Sequence, residues 1–313
     1  MVEIGDLLLA MYGATSGDIA ISKIKGAINQ AILCIRTNQN KKFIESVWNK
    51  HVSKILRKYL QGGQGNLSAD IVKGISFSFP TLEEQEKIAN LISLLDERIA
   101  TQNKIIEDLK KLKSAIIEKH YSQVEKQTAC IADLGEPFSV GSLAKDDLTE
   151  TGTPCVIYGE LFTTYGETIS QIESHTNKTD GMVLSKKRDL LFPSSTTVDA
   201  MSLIAPSVIN VDGVILGGDM FGIHISHNYN AQYLSYYFNH IAQRILAKYA
   251  KGSTIIHLHY TDIEKAKLLL PSLEEQNRMA KCLASLDKKI SVEQNLLSSL
   301  TCQKSYLLKQ MFI

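Results

Sequence analysis

The chain lacks most of what would place it quickly. No apolar run approaches the ~20 residues of a membrane span, and the N-terminal residues show no basic-then-apolar secretory pattern. The cysteines Cys34, Cys130, Cys155, Cys282 and Cys302 are scattered, with no Cys-x-x-Cys pair. That argues against a zinc knuckle or a disulfide framework and suits a reducing, cytoplasmic setting. Net charge is nearly absent: 34 Lys and Arg against 33 Asp and Glu leave +1. Bulk charge therefore gives no support for nucleic-acid binding, and any basic surface has to be local.

Catalytic signatures are missing too. There is no G-x-x-x-x-G-K-S/T phosphate loop, and Gly62-Gly63-Gln64-Gly65 reads as a loop rather than a dinucleotide site. The eight histidines include no H-E-x-x-H and no metal-like spacing. His257 and His259 alternate in a strand or loop and read as incidental. Ser194-Ser195-Thr196-Thr197 lacks the elbow pattern of a nucleophile. These absences point to a binding or scaffold protein with no metal and no cofactor, rather than to an enzyme.

What the chain does have is a repeat. With 313 residues, 44% of them hydrophobic, it can bury a proper core and has room for two domains. Pro80-Thr81-Leu82-Glu83-Glu84-Gln85 returns as Pro271-Ser272-Leu273-Glu274-Glu275-Gln276. Upstream, Ile55-Leu56-Arg57-Lys58-Tyr59 is echoed by Ile245-Leu246-Ala247-Lys248-Tyr249. A period this long fits a duplicated domain, not a solenoid. Two like halves suit a target with two like or divided parts, and DNA is the obvious candidate.

Each motif opens a long helix. Thr81 and Ser272 stand as N-caps, with Glu84 and Glu275 placed to complete capping boxes, and the preceding proline keeps the entry extended. Downstream, Ile88, Ile92, Leu95, Ile99, Gln102, Ile106, Leu109, Lys113 and Ile116 step by alternating fours and threes. Met279, Leu283, Leu286, Ile290, Glu293, Leu297, Leu300, Lys304 and Leu307 repeat those steps. This is a coiled-coil seam, free of Gly and Pro. Each helix of roughly 40 residues would run about 60 Å. Gln102 and Glu293 sit mid-seam and meet in either orientation, as a polar layer that fixes register. Parallel packing would also set Lys113 against Lys304, so the antiparallel pair is expected. If each helix merely covered its own domain, Gln102 and Glu293 would lie far apart.

Between the helices, Val183-Leu184, Leu190-Leu191-Phe192, Ser207-Val208-Ile209 and Val214-Ile215-Leu216 read as short strands punctuated by glycine turns. One helix is expected near Ala231 to Tyr249, with Tyr233, Tyr236, Tyr237 and Ile241 as core. The first copy carries only the later part of this domain. Asp6-Leu7-Leu8 answers Asp189-Leu190-Leu191, but nothing answers residues 131–184. A misplaced start codon, a truncated gene or complementation by another chain would each explain that, and unpaired strand edges would follow. The fold class is α+β: two mixed domains, the first partial, separated by two long helices forming an antiparallel coiled coil. The divisions are 1–79, 80–126, 127–270 and 271–313.

Two mixed domains, each followed by a helix opening with Pro-Thr/Ser-Leu-Glu-Glu-Gln, resemble the DNA-specificity subunit of type I restriction–modification systems. The heptads, Leu95-Asp96 with Leu286-Asp287, and Tyr158-Gly159-Glu160 followed by Tyr165-Gly166 carry the resemblance, which spans nearly the whole chain. It implies that each target-recognition domain reads one half of a split double-stranded DNA site. It implies that the helices set the unread gap and dock methyltransferase subunits, one of which flips an adenine. A translocating endonuclease subunit would join for restriction. The shortened first domain departs from the pattern. The competing readings are a half subunit acting as a homodimer and a coiled-coil adaptor that binds protein.

DNA contacts are then expected from domain loops, phosphate contacts for position and base contacts for sequence. In the second domain the candidates are Lys186, Lys187 and Arg188, then Ser194, Ser195, Thr196 and Thr197, then Lys248, Lys251, Ser253 and Thr254. In the first they are Thr15, Ser16 and Lys23, and then Arg57, Lys58, Gln61 and Gln64. Lys and Arg suit phosphate or guanine, and Gln suits adenine.

Overall fold

A computed structural model describes residues 1–59 and 67–311. It divides into two compact units, Met1–Asp108 with Ile290–Ile313, and Leu109–Lys289.

The first unit is built on a three-stranded antiparallel sheet of β1 (Leu7–Ala10), β2 (Ile19–Ile21) and β3 (Ile32–Ile35), with β1 in the centre. Helix α1 (Lys41–Tyr59) covers it, followed by the short α2 (Ala69–Lys73) and the long α3 (Leu82–Gln123). Phe43, Val47, Trp48 and Ile55 form the buried stripe of α1 at helical spacing. Trp48 packs with Leu9, Met11 and Leu67, and its indole N–H donates to the Gly17 carbonyl at 2.7 Å. Gly17 holds φ +93°, and a Cβ there would lie 2.7 Å from Val52, so this close approach requires glycine.

The second unit is larger. In chain order it holds β4 (Gln127–Cys130), β5 (Gly135–Ser139), β6 (Leu148–Thr149), β7 (Thr153–Ile157), α4 (Glu160–Thr163), β8 (Thr168–Ile169), β9 (Ser174–Thr176) and β10 (Val183–Leu184). Then come β11 (Asp189–Pro193), β12 (Ser195–Thr196), β13 (Ser207–Ile209), β14 (Ile215–Gly217) and β15 (Met220–Ile225). It closes with α5 (Ala231–His240), α6 (Gln243–Leu246), β16 (Ile256–His257), α7 (Tyr260–Ile263), β17 (Lys267–Leu270) and α8 (Leu273–Met311), whose last part belongs to the first unit. Two five-stranded sheets run in the orders β5-β15-β11-β13-β8 and β10-β14-β7-β9-β6. The strand β11 is buried along its whole length. Leu190 and Phe192 face the α5 side with Phe221, Ile223, Tyr233, Tyr236 and Tyr237. Leu191 faces a second core with Val156, Ile209 and Leu216. The tyrosines are core, as their spacing suggests.

The expected helix from Ala231 to Tyr249 is broken. The N–H groups of Ile241 and Ala242 both donate to the Tyr237 carbonyl, a wide turn that ends α5, after which α6 and a single 3-10 turn carry the chain on. In the first unit α1 runs without a break.

The duplication is visible strand by strand. β1 lies between β2 and β3 as β11 lies between β13 and β15. Asp6 and Asp189 each stand just ahead of or at the start of the central strand and accept from the N–H three residues back, at 3.0 and 2.8 Å. Asn40 and Asn230 cap the following helices by accepting from Phe43 and Tyr233 N–H at 2.9 and 2.8 Å. Counterparts of β5 and β8, which flank the sheet built on β11, are absent among the described residues of the first unit.

Candidate nucleic-acid interface

The repeated glutamine is a clamp. Gln85 is fully buried. Its amide N–H donates to the Pro80 carbonyl at 2.9 Å, and its oxygen accepts from Asn40 N–H at 3.1 Å. Gln276 does the same, donating to Pro271 at 2.9 Å and accepting from Asn230 N–H at 2.9 Å. Each long helix is thus tied, at its first turn, to the capping residue of the domain helix. In the sequence these motifs are legible as helix starts, and the tie is an addition to that role. Recurrence of Asn40 and Asn230 at nearly the repeat spacing was the available signal. The caps themselves are present, Thr81 and Ser272 accepting from Glu84 and Glu275 N–H at 3.4 and 3.3 Å. The Glu275 carboxylate, however, is turned to His120 and Arg278 instead of back to its cap.

The helices pair antiparallel in both units. In the first, Gln102 donates to the Glu293 carboxylate at 2.5 Å and to its carbonyl at 3.0 Å, and both side chains are buried. There too Lys304 meets Asp96 at 2.5 Å, and Lys42 reaches the same carboxylate at 2.9 Å. In the second unit Lys113 meets Asp287 at 2.6 Å, and His120 meets Glu275 at 2.9 Å. A step of 191 residues relates Gln102 to Glu293 and likewise Asp96 to Asp287 and Lys113 to Lys304. The two lysines that would have faced each other in a parallel pair each find the other helix's aspartate.

Around Lys113 this becomes a network. Its ammonium lies 2.9 Å from Glu167 and 4.7 Å from the centre of the Tyr236 ring, while the Tyr236 hydroxyl donates to Asp287 at 2.5 Å. His240 contacts the same Glu167 oxygen at 3.0 Å. Burial alone raises the Glu167 pKa, but the His240 hydrogen bond and the Lys113 charge outweigh it and hold the carboxyl at about 2. Glu167 lies in the stretch that the first copy lacks.

The DNA candidates divide. Lys186, Lys187 and Arg188 precede β11, whereas Ser194 to Thr197 follow it, so the structure sets them at opposite ends of one strand. Arg188 holds φ +75° and spends its guanidinium on the Ser226 and Tyr229 carbonyls at 3.0 and 2.9 Å. The Lys187 backbone N–H donates to Asp212 at 2.7 Å, and its ammonium lies 3.5 Å from the same carboxylate. That turn is anchored. Ser194 and Ser195 are buried, while Thr197 is exposed.

At the other end of β11 the fold brings together two sets far apart in sequence. β12 pairs with β16, Ser195 opposite His257 and Thr196 opposite Ile256. The loop that leads into β16 carries Lys251, Ser253 and Thr254, with Lys251 bridging His257, and these three and Lys248 are exposed. Gly252, at φ +115°, turns this loop, where a Cβ would lie 2.0 Å from the Ile255 carbonyl oxygen. Lys251 is paired with Asp262 at 2.5 Å, an exposed bond of the kind worth little in water. A cavity of about 510 Å³ opens next to this ribbon, lined by Leu161, Phe162, Tyr165, Thr196, Val198 and Asn239 among others. Glu160, part of the motif that carried the resemblance, is a buried brace that accepts from Ile157 N–H at 2.9 Å and from Ser174 at 2.5 Å.

In the first unit Thr15 and Lys23 are exposed in the turns after β1 and β2. Ser16 donates to the Met11 carbonyl at 3.1 Å. Arg57 folds back on the Ser53 carbonyl at 3.2 Å, and Lys58 lies over the Tyr59 ring. Gln61 and Gln64 fall outside the described residues. Among the described residues no cluster of His, Cys, Asp and Glu could hold a metal ion, and no helix is long and apolar enough to cross a membrane.

The family model for the type I restriction modification DNA specificity domain matches residues 2–111 and 123–301. The chain therefore belongs to that family. Among its relatives is the type I restriction enzyme MjaVIII specificity subunit of Methanocaldococcus jannaschii, 24% identical over 324 residues, covering 94% of this chain and 75% of the relative. The putative type I restriction enzyme MjaX specificity subunit of the same organism is 24% identical over 329 residues, covering 93% and 73%. The fold is shared with the S subunit of a type I restriction–modification system from M. genitalium, with TM-score 0.63 at 18% identity over 100% of this chain and 84% of that one. It is also shared with a chain from a structural study of complex assembly and conformational transition in a type I system. That chain gives TM-score 0.60 at 15% identity, over 99% of this chain and 82% of the other.

Proposed function

We propose that this chain is the DNA-recognition subunit of a type I restriction–modification complex and performs no chemistry itself. One observation carries the reading: a family match over nearly the whole chain that coincides with duplicated halves and a helix pair locked by Gln102 and Glu293. The domains at 1–79 and 127–270 would each read one half of a divided site in double-stranded DNA, with the helices at 80–126 and 271–313 setting the gap. Two half-site contacts on one frame gain affinity through effective concentration, provided both engage at once. In the second domain the ribbon of β12 and β16 and the loop leading into it, with Thr197, Lys248, Lys251, Ser253 and Thr254, form the reading element, because exposed hydroxyl and ammonium groups are concentrated in that short stretch of chain. Arg188 serves the fold, while the exposed Lys186 and Lys187 remain candidates for phosphate contact.

Methyltransferase subunits would dock on the helix pair, and a translocating endonuclease would join them. In the first unit Leu91, Leu94 and Ile105 of α3 and Val292 and Leu296 of α8 are exposed, off the seam. A cavity of about 550 Å³ there is lined by Leu91, Leu94, Leu95, Arg98, Thr101 and Leu300 among others. An apolar stripe outside a filled seam suits a further helix. The test is co-expression with a type I methyltransferase subunit from the same genome, then methylation profiling of genomes with and without this gene. A divided adenine-methylated motif that vanishes with the gene is expected. A chain that neither joins a methyltransferase nor alters methylation would refute the reading.

A further inference from the structure

The tip of the β12–β16 ribbon carries two side chains that phosphate binding does not explain. Past the Thr196–Ile256 pair the strands run out into Thr197-Val198 on one side and Ser253-Thr254-Ile255 on the other. Val198 is 73% exposed and Ile255 49% exposed. Val198 stands two residues beyond the last paired residue of its strand, where it also borders the cavity beside Leu161 and Phe162, and Ile255 stands one residue before the first of the other, so both lie in the bends at the same end of the ribbon. Single exposed aliphatics are ordinary on protein surfaces. Here two β-branched ones are interleaved with three hydroxyls, Thr197, Ser253 and Thr254, with Lys248 and Lys251 close by in the chain. Asp199, the nearest acid in sequence, is occupied in its own turn, accepting from Ser202 N–H at 2.8 Å.

This composition has a specific complement. The major groove admits a two-stranded ribbon, and its floor offers donors, acceptors and one apolar group, the C5-methyl of thymine. Hydroxyls can bond to any base edge, whereas branched aliphatics gain only from that methyl. We propose that Val198 and Ile255 read thymine methyl groups in the half-site recognised by the second domain, making A·T pairs at one or two positions there part of the motif. This rests on the DNA-recognition reading above. Burial of one methyl group against an aliphatic side chain corresponds to about a fourfold change in affinity.

The experiment uses the full chain assembled with its methyltransferase and duplexes carrying the motif found by methylation profiling. Each thymine of the half-site is replaced in turn by deoxyuridine, which removes the methyl and nothing else. The complex with the natural chain should bind about fourfold more weakly at one or two of these positions. Val198→Ala or Ile255→Ala should bind thymine and uracil duplexes equally at the matching position, with the same thermal unfolding as the natural chain. The proposal is overturned if no thymine in that half-site is sensitive, or if both alanine variants keep the full thymine preference. If the natural complex binds no duplex selectively, the recognition reading fails and this proposal with it, an outcome seen with every duplex alike.

Discussion

Removing the Lys113 ammonium while keeping its bulk, as Lys113→Met does, strands two carboxylates. Glu167 and Asp287 have side chains 21% and 30% exposed, and Lys113 itself is almost wholly buried. Breaking a buried pair by deleting one partner costs about 3–5 kcal/mol. The partial exposure of the carboxylates and the remaining His240 and Tyr236 contacts bring the expectation to about 3 kcal/mol. Lys304→Met is the internal control, because it removes the repeat's equivalent. Lys304 and Asp96 are 29% and 31% exposed, and Asp96 keeps Lys42, so a loss of about 1 kcal/mol is expected. Acid sharpens the contrast. The Glu167 pKa is depressed from its ordinary 4.5 to about 2. Its contribution is therefore fully present above pH 4.5 and is lost as pH falls toward about 2. Lys113→Met should flatten that part of the pH dependence, whereas Lys304→Met should change only the share carried by Asp96, whose carboxyl partial burial would raise but Lys304 and Lys42 hold below its ordinary range. Urea denaturation followed by circular dichroism, at neutral pH and near pH 3, measures both. Equal losses in the two variants, or an unchanged acid limb in Lys113→Met, would refute the network argument.

Gln276→Ala and Gln85→Ala each leave a half-buried N-cap N–H without its acceptor, so each should destabilise by about 1 kcal/mol in the same denaturation assay. Gln102→Leu leaves Glu293 buried beside an apolar side chain and should lower the melting temperature, and adding Glu293→Leu should restore much of the loss. Replacing Lys248 and Lys251 together by Gln should weaken DNA binding by the assembled complex and flatten the logarithmic salt slope by up to about 1.8. An unchanged slope in fluorescence anisotropy titrations at several salt concentrations would remove them from the interface.

The helix pair was legible because its information is local. Heptad steps and two matching polar positions suffice to place Gln102 against Glu293, and like-charge repulsion between Lys113 and Lys304 suffices to choose the orientation. The tyrosines declared themselves as core by helical spacing. The clamp was not legible, because Gln85 and Gln276 find Asn40 and Asn230 some 45 residues away, beyond the reach of periodicity. The ribbon depends on a strand register, Ser195 opposite His257, that only the assembled sheets dictate. Arg188 shows a related limit: a basic turn looks the same in sequence whether its guanidinium meets solvent or two backbone carbonyls. The break after His240 turns on one carbonyl accepting twice, which no residue type announces.

β4 and β17 lie side by side, Gln127 opposite Leu270 and Cys130 opposite Lys267. The polypeptide thus enters and leaves the larger head through a single neck four residue pairs deep. Everything beyond that neck forms a closed excursion, which returns to the long helices through Glu167 on Lys113, Tyr236 on Asp287 and Asn230 on Gln276. A foreign segment spliced in at the neck inherits its seat from the ladder and from the Gln276 tie, if it brings an asparagine to receive it and a carboxylate to meet Lys113. Evolution, or an engineer, can exchange what is read with two cuts a few ångströms apart.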